Sequence, residues 1–116
     1  MICHLNDSFL VGLGERRVSS EVDFVKRTLV KWIALYAPTP WPHGVPTRPE
    51  VDQEGGGGTK PTQFERDAEE LESVVDRFRR TEHFEAHHPI FGRLTTAEWQ
   101  RWGYLHFDHH LRQFGV

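Results

Sequence analysis

One cysteine, Cys3, stands in 116 residues, so no internal disulfide staples the chain. No stretch approaches the ~20 apolar residues of a membrane-spanning helix, and none has the charged-then-apolar order of a signal peptide. A basic excess is missing as well: the formal net charge is -3 with the histidines neutral, and Lys and Arg are scattered instead of lining one segment. That removes the electrostatic footprint of nucleic-acid or anionic-lipid binding. Internal repeats and runs that read as paired strands are also absent. These absences lead to an expectation of a cytoplasmic protein with small-molecule or protein partners, no nucleic acid and no membrane. With 37% hydrophobic and 27% charged residues, the chain suits one domain, 1–116, around one core.

Helical periodicity is what the sequence does contain. Ile2, Leu5, Phe9 and Leu13 recur at three- and four-residue steps, with Leu10 and Val11 widening the stripe and Gly14 as a stop. A second helix follows a cap at Ser19 or Ser20, with Glu21 and Asp23 in its first turn. Phe24, Val25, Leu29, Trp32, Ile33 and Tyr36 should bury one of its sides, up to Pro38. Residues 38–60 hold five prolines and four consecutive glycines, which predicts a long loop. Its proline half, with Trp41 and His43, should be stiff and lie over a site mouth, and its Gly55–Gly58 half mobile. A third helix runs from about Pro61 to Arg80, with Thr62 and Glu65 as a capping box and Phe64, Ala68, Leu71, Val74, Val75 and Phe78 as its stripe. After the break at "HHPIFGRL", Thr95 with Glu98, or Thr96 alone, starts a fourth that ends near Gly115. The fold class is therefore all-α, a bundle of antiparallel helices.

The histidines of "YLHFDHHLRQFGV" carry the chemistry. His106 and His110, four residues apart, share a helix face with Trp99, Trp102 and Gly103, whereas His109 is turned about 100° away. Two imidazoles one turn apart can converge on a metal ion; the same spacing also suits hydrogen-bonded or exposed helix positions. His83 and His87 repeat the spacing but are set aside, because Pro89 disfavours helix at His88. His4, between Ile2 and Leu5, can enter the bundle centre or lie on a solvent-facing terminus. Cys3 reads as a small buried hydrophobe before it reads as a ligand. Asp7 is the better candidate to orient a ligand imidazole or act as a general base, since Asp108 has Arg112 four residues on as an ion-pair partner. His109, Arg112 and Gln113 are candidates to contact substrate or a ligand, with ordinary helix pairing as their alternative. His88 is expected to fix its loop.

The stretch "HHPIFGRLTTAEWQRWGYLHFDHHLRQFGV", taken with "MICHLNDSFLVGLGERR" and "WPHGVPT", resembles the DinB-like superfamily, in particular a bacterial subgroup of unknown function ending in a similar "HxxHHLRQ" helix. The resemblance implies a four-helix bundle holding a divalent metal through one histidine of the second family helix and two of the last. Those fall on His4, His106 and His110. Imidazole ligands favour Zn²⁺ or Ni²⁺ over Mg²⁺. Some relatives resemble thiol-cofactor S-transferases, which brings a low-molecular-weight thiol into view beside hydrolysis; the rival expectation is a non-enzymatic interaction or stress-response module. No residue names the substrate, and no catalytic residue is assigned. The first family helix has no counterpart ahead of Met1, so the chain is expected to be N-terminally shortened, its open groove covered by the helix of residues 21–36, by a second copy in a homodimer, or by missing upstream residues.

Overall fold

The computed structural model describes residues 1–18, 24–42 and 48–116. Among these residues four α-helices form: α1 Ile2–Gly12, α2 Phe24–Tyr36, α3 Phe64–Arg80 and α4 Thr96–Gln113, with a 3-10 turn at Pro49–Val51. No β-strand occurs among the described residues, so the all-α expectation holds. The expected cap and acidic first turn of α2, and His43, lie outside the described residues.

Helix α4 begins as its sequence requires: the Thr95 side chain accepts from Glu98 N–H while the Glu98 carboxylate accepts from Thr95 N–H. At α3 the expected box is not formed. Gln63 is the N-cap, and Asp67, not Glu65, reaches back to accept from the Thr62 N–H at 2.9 Å and hydroxyl at 2.7 Å. Leu71, Val74 and Phe78 form the buried stripe of α3, while Phe64 at its open end is 71% exposed.

The core gathers on α1, which is packed against α3, α4 and the 3-10 turn. It is not the two-faced helix its pattern suggests, because Asn6, Asp7 and Ser8 are buried along with Leu5, Phe9 and Val11. Segment 48–59 covers that polar side. Gly57 passes so close to the Pro49 carbonyl that a Cβ there would collide with backbone.

On the other side, the Phe78 ring is wedged between two glycines. A Cβ on Gly12 of α1 would lie 2.6 Å from one ring edge, and a Cβ on Gly103 of α4 would lie 2.8 Å from the other. Phe9, Trp99 and Trp102 close around it, with ring centroids 4.8, 6.2 and 6.1 Å away.

Helix α2 reverses its expected orientation. Leu29, Trp32 and Ile33 are 61%, 54% and 56% exposed, and among its described side chains only Leu35 is fully buried. The helix docks on α4 through that leucine and through polar links: Lys31 Nζ lies 2.6 Å from Glu98 Oε2, and Arg101 donates to the Leu35 carbonyl while covering the Tyr36 ring. Periodicity marks an apolar face, but partner geometry decides whether it is covered.

Because Gly103 faces the Phe78 ring edge, Gly103→Val should destabilise the protein by ~1–3 kcal/mol, read as a lower denaturant midpoint. An unchanged midpoint would show that the wedge does not set the helix spacing.

Candidate metal centre

Three helical positions, two of them one turn apart, converge at one end of the bundle. His106 and His110 project from the same face of α4, and His4 comes from the first turn of α1. Ring centroids of His4 lie 5.6 Å from His106 and 4.7 Å from His110, and those of His106 and His110 lie 4.8 Å apart. One ring nitrogen from each falls within 4.8 Å of the others. Nitrogens bound to one ion at ~2.1 Å stand at most ~4.2 Å apart, so small ring rotations complete such a set.

Hydrogen bonds orient two of the rings. His4 Nδ1 donates to the Val51 carbonyl at 2.9 Å. A carbonyl only accepts, so the proton sits on Nδ1 and the Nε2 lone pair is left for a ligand role. His110 Nδ1 makes the equivalent bond to Gln113 Oε1 at 3.1 Å, one turn further along α4. His106 is oriented by packing, its ring stacked on Trp102 at 4.8 Å, and its Nε2 is buried with no hydrogen-bond partner among the described residues. A buried, unpartnered ring nitrogen beside two lone pairs is the feature that best fits a cation.

Electrostatics favour the neutral form of the two α4 rings. Burial, reinforced by His110 and His4, holds the His106 pKa well below the ordinary histidine value. Burial, then the neighbouring His4 and His109, lowers that of His110 to about 4.

Asp7 is not part of this arrangement. Its fully buried carboxylate accepts from Gln53 Nε2 at 2.9 Å, Thr59 N–H at 2.7 Å and Thr59 hydroxyl at 2.6 Å, with Arg16 at 3.4 Å. Arg16 also donates to the carbonyls of Glu50 and Gly57. The Gly55–Gly58 half of the loop, expected to be mobile, is therefore tied down beside α1, and the 3-10 turn ahead of it presents Val51 to His4. Arg112 is likewise spent elsewhere, 2.8 Å from Asp108. Cys3 donates to Asp67 at 3.6 Å, and burial pushes its thiol pKa up, so it is no thiolate ligand.

The histidines open onto a cavity of about 550 Å³. Pro40, Trp41 and Pro42 line it, and the Trp41 ring lies 6.0 Å from His106 and 5.8 Å from His109 while its indole N–H donates to the Ala34 carbonyl. The described start of the loop, residues 39–42, thus lies over the site, and His109 and Gln113 both line the cavity. Arg16 as a loop clamp and Val51 as an acceptor went unread in the sequence, since neither carries a local signal.

These features define an all-helical protein whose first and last helices bring three imidazoles together beside a largely apolar cavity. Residues 43–115 match the family described as "Protein of unknown function (DUF1569)", and the chain belongs to that family. The matched region includes His88, His106 and His110 and does not extend to His4. No curated protein and no solved structure matches the chain.

The depressed histidine values fix the sign of a pH effect. An unfolded chain takes up protons near ~6.5 that the buried rings refuse, so their contribution to stability is complete above that pH and is lost as pH falls. The Tm of the metal-free protein should therefore drop between pH 7 and 5, above the carboxylate range. A flat profile over that interval would show that these rings are not shielded from solvent.

Proposed function

We propose that this protein is a DinB-like metal-binding protein that holds one divalent ion, Zn²⁺ or Ni²⁺, through His4, His106 and His110 and acts on a small molecule bound in the cavity above. The observation that carries the reading is the convergence of three ring nitrogens, one of them buried and unpartnered, at the edge of that cavity. An ion bound by three neutral ligands supplies positive charge that makes a water or a low-molecular-weight thiol more acidic, which suits hydrolysis or thiol transfer near neutral pH. The protein's own residues do the rest. Val51 and Gln113 fix the His4 and His110 tautomers, Trp102 sets the plane of His106, and Trp41 with its flanking prolines excludes water from above.

The rival reading, a non-enzymatic interaction module, draws on the exposed Leu29, Trp32, Ile33 and Tyr36 of α2. Metal analysis with activity screens separates the two: an enzyme hydrolysing amides or transferring thiols should lose turnover on chelation and regain it with Zn²⁺ or Ni²⁺, whereas a module has none to lose.

His110→Ala should reduce bound zinc from one equivalent to well below it, measured by elemental analysis after dialysis. Gln113→Leu, which removes only the acceptor on His110, should keep the stoichiometry but weaken affinity by ~10-fold or more. Unchanged zinc binding in His110→Ala would rule out the three-histidine site.

A further inference from the structure

Besides His109, a further imidazole lines the cavity outside the three-histidine cluster. His88 is 7% exposed and closes its turn through backbone bonds to Gly92 in both directions, at 2.7 and 2.9 Å. Its Nδ1 accepts from the N–H groups of Ile90 at 3.1 Å and Phe91 at 3.2 Å. Amide N–H groups only donate, so Nδ1 is unprotonated and the proton of the neutral ring sits on Nε2. Burial takes the pKa of His88 to about 3, which preserves this tautomer across the physiological range.

Nε2 has no hydrogen-bond partner among the described residues. His88 lines the cavity, and with Nδ1 committed to the turn, Nε2–H is the polar group its ring has to offer there. The ring has no freedom to turn away: Phe91 stacks on it at 4.3 Å, and Trp99 and Trp102 stand 5.5 and 5.3 Å from it. Trp102 is also the indole on which His106 stacks, so donor and histidine cluster flank one side chain at one cavity.

We propose that His88 is a specificity-determining residue whose Nε2–H binds a carbonyl oxygen of an otherwise apolar substrate in this cavity. The class follows from what the ring offers. It donates but cannot accept on the cavity side, so a substrate hydroxyl or amine proton would stay unpaired there; being neutral, it supplies no charge to balance a carboxylate. Val30, Ile33, Pro40 and Trp41 give the cavity its apolar walls; among the described residues no acidic side chain lines it, and the one guanidinium that does, Arg48, is already engaged in an interaction of its own. Ketones, esters and amides with apolar substituents meet these terms. The inference rests on the cavity being the substrate site of the proposed function, but not on a metal being bound.

Its test uses the metal-free full chain and two probes of similar shape, 4-phenyl-2-butanone and n-butylbenzene, titrated by NMR. The ketone should bind about three- to tenfold more tightly, the worth of one added hydrogen bond. In His88→Asn the side-chain oxygen can still accept from Ile90 and Phe91, but the Nε2–H is gone; the preference should fall to near unity with Tm and zinc binding retained. No preference in the wild-type protein, or a preference that survives in His88→Asn, overturns the proposal. A measurement that needs no variant is ¹⁵N NMR of the wild-type imidazoles. His88 should be the Nε2–H tautomer at pH 7, and its Nε2 resonance should move with ketone and not with butylbenzene; an Nδ1–H tautomer or an unmoved resonance also overturns it. Zinc stoichiometry, measured in parallel, reports separately on the metal-binding reading.

Discussion

A buried carboxylate organises the site end of this protein. Asp7 sits in the middle of α1 with its side chain shut off from water, and an ionised group there must find partners inside the fold. It finds them in Gln53, Thr59 and Arg16, two of which belong to a segment with almost no secondary structure of its own. Satisfying Asp7 therefore folds residues 48–59 over α1. The 3-10 turn so placed sets the Val51 carbonyl against His4, and that bond selects the ring nitrogen His4 presents to His106 and His110. A charge that touches none of the histidines thus positions one of them.

The second constraint is the spacing of α1 and α4. Phe78, on α3, contributes nothing to the cavity chemistry, yet its ring fills the gap that Gly12 and Gly103 leave. The separation of the two helices at this wedge governs how far His4 stands from the α4 pair further along. Close packing transmits that distance with little slack, because side chains in such a core cannot shift singly.

Local rules made part of this legible in the sequence. The Thr95–Glu98 box, the stop at Gly14 and the shared face of His106 and His110 each depend on residues within one or two helical turns. His4 was ambiguous from its own surroundings, and only a family resemblance assigned it to the cluster. The misread features are non-local. Asp7 looks like a partner for a histidine three residues away, but its hydrogen bonds come from residues some fifty positions on. The glycine run suggests freedom, and the bonds from Arg16 that remove it lie in another segment. In α2 the apolar stripe was real; what the pattern could not supply was a surface for it to meet, and the helix is held instead by Leu35, Lys31 and Tyr36.

The fate of Asp7 also shapes the chemistry open to the site. A carboxylate accepting from a ligand imidazole would pass negative charge toward a bound ion; here that carboxylate is committed to Arg16 and Thr59, and the acceptors on His4 and His110 are a backbone carbonyl and an amide oxygen. Both are neutral. The cluster thus has uncharged partners and faces a cavity without acidic side chains among the described residues. In such surroundings a divalent ion would keep its charge unneutralised and poorly screened, and an electron pair in the cavity would feel nearly all of it. The lowered pKa values of His106 and His110 suit the crowding of the cluster: protonated imidazoles this close would repel, whereas neutral ones repel weakly and leave His106 Nε2 without a hydrogen-bond partner among the described residues.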